Sequence, residues 1–357
     1  MPDETNTCAG CSRRDFVKMS AMAALGAAAA DKPTPGGKDF SWGALLHFGT
    51  NMWSDVLPRR WGGSTDEATL KSVTQADHLR FDEGLWRELT GKMHDMGMNR
   101  IVIDVGEGIV LPSHPELAVK GSWTPERMRA ELARLRGLGL EPIPKLNFST
   151  AHDIWLKDYS RMVSTPTYYK VCADVIRDVC EIFDRPALFH LGYDEETTGH
   201  QSQYEYLVVR QGDLWWRDFM FFVKTVEKLG MRPWIWSDYY WHHPEAFLKR
   251  MPKSVLQSNW YYGAKFEDAE GGAKTRVQAF IDLDKAGFDQ IPCGSNWSCE
   301  ENFPKLVAFC KKNLSHERLK GFLSAPWVFT TPGSRKRLLR SFELVADGMK
   351  IANGAEI

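Results

Sequence analysis

From residue 42 onward, short apolar runs alternate with longer stretches whose apolar positions recur every three or four residues. The runs predict β-strands at 42–48, 100–105, 141–148, 187–193, 232–237, 254–260, 290–294 and 319–325. The longer stretches predict helices at 82–96, 124–138, 167–183, 214–229, 244–249, 276–286, 301–313 and 335–349. Local chemistry agrees at several ends. Thr124-Pro125-Glu126 places a capping hydroxyl before a proline, which fits a first helical turn, and Thr165-Pro166 repeats the device. Gly97, Gly230 and Gly287 fall where helices should stop. Eight strands in strict alternation with eight helices predict an α/β protein, a single (β/α)8 TIM barrel over residues 39–357. A doubly wound open sheet is the rival. It calls for a glycine-rich phosphate turn after the first strand, and His47-Phe48-Gly49-Thr50-Asn51 lacks that spacing.

The leading residues follow another pattern. Ser12-Arg13-Arg14-Asp15-Phe16-Val17-Lys18 precedes a weakly apolar, alanine-rich run over 19–30. Paired arginines, Phe, Lys and small residues in this order match a bacterial twin-arginine export signal over 1–30, with cleavage expected near Ala30. Residues 31–38, rich in Pro and Gly, read as a linker. The expected localisation is exported, periplasmic or extracellular, with the twin-arginine export machinery as a partner. The apolar run is too short to span a bilayer, so no stable membrane insertion is expected.

Charge narrows the partners. Forty-five basic and 46 acidic residues give a net charge of -1, with no basic excess to neutralise the phosphates of a nucleic acid. Aromatic residues make up 12% of the chain and include 14 Trp, many near strand ends, where flat rings suit the apolar faces of sugars. Cys172 and Cys180 lie eight apart on one helix, sharing a face but too distant to bridge. Cys293 and Cys299 either pair in an oxidising compartment or stay free. Beyond the signal there is no Cys-x-x-Cys pair, and a lone His47 on strand one, His152-Asp153 and His242-His243 show no ligand spacing to a third group. No metal and no cofactor are therefore expected.

Barrel chemistry belongs at the C-terminal strand ends. The most informative end is Leu188-Phe189-His190-Leu191-Gly192-Tyr193-Asp194-Glu195-Glu196, an apolar run that stops in adjacent carboxylates. Two acids in different surroundings can hold different pKa values, as acid-catalysed bond cleavage requires. Asp194 and Glu195 are the catalytic candidates; the alternative is that they cap the following segment. Glu196 reads as a solvated loop charge. The other ends supply substrate-binding candidates: His47, Asp104, Lys145, Asn147, His190, Trp236, Asp238, Tyr239, Asn259, Trp260, Asn296, Trp297 and Trp327. His47 reads equally as a core histidine. Asp104 and Lys145 either pair across adjacent strands or touch substrate. Any single Trp could be a lid on the core.

His190-Leu191-Gly192-Tyr193-Asp194-Glu195 resembles the H-x-G-G-D-E motif of family 20 glycoside hydrolases, the β-N-acetylhexosaminidases. Trp234-Ile235-Trp236-Ser237-Asp238 and Gln257-Ser258-Asn259-Trp260 are similar to that family's fifth and sixth strand ends. The resemblance implies a (β/α)8 barrel acting on terminal N-acetylhexosamine by substrate-assisted retention. Glu195 would protonate the leaving oxygen and then activate water. Asp194 would orient the 2-acetamido group, whose oxygen is the nucleophile. Tyr239 would donate to that oxygen, and Trp236, Trp260, Trp297 and Trp327 would wall the sugar. The chain departs from the pattern at Tyr193, which replaces a glycine, and after Trp327, where an acid is missing. A second resemblance, carried by Leu45-Leu46-His47-Phe48-Gly49-Thr50-Asn51, Trp61-Gly62 and Phe81-Asp82-Glu83-Gly84-Leu85-Trp86, is to family 29 α-L-fucosidases. It implies Asp194 as a covalent nucleophile. A barrel that binds glycan without cleaving it is the third reading.

Overall fold

In the computed structural model the described residues are 40–355, apart from Gly62 and Glu205. The export signal and linker, with Cys8 and Cys11, lie outside them. Eight parallel strands form the barrel: β1 Ser41–His47, β2 Arg100–Asp104, β3 Glu141–Lys145, β4 Leu188–His190, β5 Arg232–Trp236, β6 Leu256–Ser258, β7 Cys293–Gly294 and β8 Gly321–Ser324. They pair in the order β6-β5-β4-β3-β2-β1-β8-β7, and isolated parallel bridges Gln257–Gln290 and Trp260–Cys293 close β6 on β7. The predicted (β/α)8 architecture is the observed one.

Among the described residues ten α-helices surround the strands: α1 Glu67–Val73, α2 Glu83–Asp95, α3 Pro125–Gly137, α4 Pro166–Ile182, α5 Gly212–Lys228, α6 Tyr239–His242, α7 Pro244–Arg250, α8 Gly271–Lys285, α9 Asn302–Asn313 and α10 Arg335–Ala352. The capping signals act as read. The Thr124 and Thr165 side chains accept from the backbone N–H groups of Arg127 and Tyr168, each before a proline in the first turn. Asp82 caps α2 through the Leu85 N–H at 2.6 Å. Two short helices, α1 and α6, carry too few turns to show a period and were not expected.

A strand in a closed barrel buries both faces, so its sequence reads as a continuous apolar run. Leu45, Val102, Ile143, Leu256, Ile291 and Leu323 point inward and fill the barrel. Ala44, Leu46, Ile101 and Ile103, one position off, face the helices in a larger outer core. No helix among the described residues is long and apolar enough to cross a membrane. The five described cysteines are free, so Cys293 and Cys299 do not bridge.

Candidate active site

Register builds the floor of the site. His47 pairs with Asp104, Asp104 with Lys145 and Lys145 with His190, so four inward polar residues share one layer above the apolar filling. Lys145 Nζ donates to Asp104 Oδ2 at 2.5 Å, and His47 Nδ1 lies 3.4 Å from the same oxygen. Burial alone would raise the Asp104 carboxyl; Lys145 and His47 outweigh it and hold it at about 2. Asp104 and Lys145 thus pair with one another beneath the site. His190 Nδ1 accepts the Gly192 N–H at 3.0 Å, which puts the ring hydrogen on Nε2. Burial, then the Lys145 charge, keep this imidazole neutral, well below its ordinary range. Its ring lies against Trp234 and Trp236, with centroids at 4.8 and 4.5 Å.

Above this layer the chain leaves the ladder through left-handed backbone at Gly192 (φ 67°), Tyr193 (φ 72°) and Glu195 (φ 57°). Only glycine fits at 192, because a Cβ there would lie 2.1 Å from Asn147 Oδ1. Tyr193 tolerates its conformation because its ring is packed among Trp215, Phe219 and Phe222, under the Arg210 guanidinium. Asn147 then ties the turn together. Its Oδ1 accepts from the Tyr193 and Ser149 N–H groups, and its Nδ2 donates to Asp194 Oδ1 at 2.8 Å.

The two acids meet at one imidazole. His152 Nε2 lies 3.4 Å from Asp194 Oδ2 and 3.2 Å from Glu195 Oε2. Burial opposes a charge on His152, but Asp194 and Glu195 overcome it and hold the ring protonated, at about 10. Asp194 is buried; burial raises its carboxyl, and His152, Lys145 and Asn147 together bring it well below the ordinary range. Glu195 keeps 32% of its side-chain surface exposed, with His200 Nδ1 at 3.3 Å from Oε2. Its backbone N–H donates to Asp238 Oδ2 at 2.8 Å. Burial and the Asp194 charge push Asp238 up to about 8, so it is neutral in mild acid. Neither Asp194 nor Glu195 caps a helix. Glu196 is no solvated charge: it is buried and bound to Arg210 by bonds of 2.7 and 2.8 Å.

Trp327 forms one wall, 5.9 Å from His47, and the buried Trp236 backs it at 5.7 Å centroid separation, inside the barrel core rather than on the site's surface. Trp327 Nε1 donates to the Tyr262 hydroxyl at 2.9 Å, and Tyr262 stacks on Trp260. Four of the proposed sugar contacts lie elsewhere. Tyr239 stacks on Trp215 at 3.7 Å, on the α5 side, so its hydroxyl is not poised over Asp194. Asn259 faces outward, accepting from Trp241 Nε1 and donating to the Arg276 carbonyl. Asn296 donates to the Arg337 carbonyl, and Trp297 is half exposed beneath the Arg337 guanidinium; both line a separate cleft. Beyond the end of the ladder, strict side-chain alternation no longer decides direction.

Sequence reasoning missed His152, His200 and Tyr262, which come from loops without period. The only signal was the His152-Asp153 pair, set aside for want of a third group; the fold supplies it. His152, Glu195 and His200 ligand atoms lie within 4.8 Å of one another, a spacing able to hold a metal ion. In this structure the three side chains form an ion-pair network, with His152 Nε2 and His200 Nδ1 both facing Glu195 Oε2 at 3.2 and 3.3 Å.

No protein-family model and no curated protein matches the chain. Solved structures do. The fold is that of family 20 enzymes. The exo β-N-acetylglucosaminidase of Vibrio harveyi superposes with a TM-score of 0.58 at 13% identity, over 85% of this chain and 54% of its own. The chitobiase of Flavobacterium johnsoniae gives 0.57 at 18%, over 88% and 50%. The β-N-acetylhexosaminidase of Bacteroides fragilis gives 0.55 at 13%, over 87% and 65%. This chain spans half to two thirds of the length of these proteins, and at such identities the likeness is one of fold.

Proposed function

We propose that this chain is an exported glycoside hydrolase that removes terminal N-acetylhexosamine by retaining, substrate-assisted catalysis. One observation carries the reading: consecutive acids at the fourth strand end share a protonated histidine yet differ in surroundings. Asp194 is buried, ionised and fixed by Asn147, which suits a group that orients and polarises an acetamide N–H. Glu195 is partly open to solvent, which suits proton delivery to a leaving oxygen and then activation of water. Trp327, partly exposed and bonded to the Tyr262 hydroxyl, offers a flat face for the ring, with Trp236 packed behind it. The fold likeness to named N-acetylhexosaminidases supports the sugar. The twin-arginine pattern supports export and the export machinery as a partner.

The test is release from a chromogenic N-acetylglucosaminide. Glu195→Gln should cut kcat by about 10²- to 10⁴-fold. Asp194→Asn should lower kcat for this substrate while leaving the fold intact. Unchanged release from Glu195→Gln overturns the assignment. Trapping of a 2-fluoro sugar on Asp194, with turnover of substrates lacking the acetamide, would move the protein to the fucosidase-like reading. Bound glycan without products in a broad screen would leave a binding barrel.

A further inference from the structure

Three side chains from separate loops converge on one point. His152 follows β3, Glu195 follows β4, and His200 opens the short 3-10 turn His200–Gln203. His152 Nε2 lies 3.2 Å and His200 Nδ1 3.3 Å from a single oxygen, Glu195 Oε2, and the three donor atoms all fall within 4.8 Å of one another. Donors about 2.0–2.1 Å from a tetrahedral centre lie about 3.3 Å apart, so two of the three edges already have the required length. Packing fixes the rings. The His152 ring meets Trp53 and His200 edge-on, with centroids at 6.4 and 5.3 Å. His200 meets Tyr204, which stacks on Trp61 and donates its hydroxyl to the Ala151 carbonyl, tying one histidine's loop to the other's. Asp238 holds the Glu195 main chain. One side stays open to solvent, because Glu195 keeps 32% and His200 25% of their side-chain surface exposed.

Charge favours a dication at this point. Asp194 Oδ2 lies 3.4 Å from His152 Nε2, so two carboxylates flank that nitrogen. One proton there balances one of them; a dication balances both. Coordination uses the Nε2 lone pair, so the proton held on it leaves to solvent as the ion enters. Two imidazoles with one carboxylate suit zinc and its transition-metal neighbours, whereas magnesium and calcium call for oxygen. The far nitrogens, His152 Nδ1 and His200 Nε2, make no hydrogen bond among the described residues. Resident metal centres fix those nitrogens with an outer partner, worth about 10- to 100-fold in affinity. Their lack suits an exchangeable ion. We propose that His152, Glu195 and His200 form an inhibitory site for a divalent transition-metal ion of the zinc type, which takes Glu195 Oε2 out of proton transfer. That the ion inhibits rests on the hydrolase reading; that it binds does not.

The experiment is calorimetric titration of the full chain with zinc chloride, on a Cys8→Ser/Cys11→Ser background that removes the Cys-x-x-Cys pair of the leading segment. One zinc per chain should bind with a Kd of about 1 μM, and magnesium should not compete. His200→Ala and Glu195→Gln should each weaken zinc at least about tenfold. The exposed pair variant His242→Ala/His243→Ala should leave it unchanged. Cobalt(II) should give the visible absorption of a four- or five-coordinate ion, lost in His200→Ala, which reads the ligands without any assay of activity. Zinc at about ten times its Kd should cut release of the chromogenic N-acetylglucosaminide about tenfold, and a chelator should restore it. Absence of zinc binding, binding unchanged in His200→Ala and Glu195→Gln, or full activity with zinc bound overturns the proposal. Zinc lost as expected in both variants, in a chain that hydrolyses no N-acetylhexosaminide, would leave the metal site standing and remove the hydrolase reading.

Discussion

His152 is the residue on which both acids depend. Without it Asp194 would keep Asn147 and the more distant charge of Lys145, and a buried carboxylate would lose the cation in contact with it. Removing one partner of a buried pair costs about 3–5 kcal/mol. His152→Ala should therefore lose on the order of 3 kcal/mol in urea denaturation. The sign follows from linkage. The Asp194 contribution is present above its ordinary value of 3.8 and is lost as pH falls through its lowered folded value. The His152 contribution is complete below its ordinary value of 6.5 and fades as pH rises towards about 10. The gap between wild type and His152→Ala should be widest between those ordinary values and shrink in alkali; a gap constant across pH would show that the loss is one of packing. The sequence could name Asp194 and Glu195, because an apolar strand ending in acids is a local pattern. It could not name their partner, since no spacing joins a loop histidine to a carboxylate forty residues later except through the fold.

Strand β4 delivers those acids through its exit turn. That turn depends on Gly192, whose missing side chain leaves room for Asn147. Gly192→Ala should cost more than about 1 kcal/mol, because the residue is left-handed and crowded. It should also lower kcat by displacing the amide that orients Asp194. Gly137→Ala, in helix α3 with nothing within 4 Å of the added carbon, is the control and should be neutral or stabilising by about 0.5–1 kcal/mol. Equal behaviour of the two variants, by thermal melting and chromogenic assay, would remove the turn from the argument. The observed strands explain which parts of the site were legible. Where the ladder runs, the strand-end candidates His47, Asp104, Lys145 and His190 lie side by side in one layer of the barrel. Strand β6 ends at Ser258, two residues short of expectation, and β7 keeps only Cys293–Gly294. Asn259 and Asn296 lie past those ends, free to turn towards α8 and α10.

The whole barrel is unevenly sewn. Strands β1 and β2 pair continuously from Gly43–Arg100 to His47–Asp104, whereas β6 and β7 touch through two isolated bridges. Buried glutamines occupy that seam: Gln257 is satisfied by Ser237 and Val255, but Gln290 leaves Oε1 without a partner. A polar, sparsely bonded seam opens at lower free energy than an apolar, fully paired one. The acids follow β4, two strands away from that seam, while the loops after β6 and β7 carry Trp260, Tyr262 and the walls of the separate cleft. Opening at the seam would thus loosen the ligand walls without moving Asp194 or Glu195. Native-state hydrogen exchange should show the amides of Ile291 and Cys293, bonded to Gln257 and Asn259, exchanging at least about tenfold faster than those of β2. Addition of a bound glycan should slow the seam and leave β2 unchanged, because a ligand lowers exchange only where it disfavours opening. Equal protection of seam and β2 would mean that the barrel opens as one unit, and sugar would then have to enter over a closed rim.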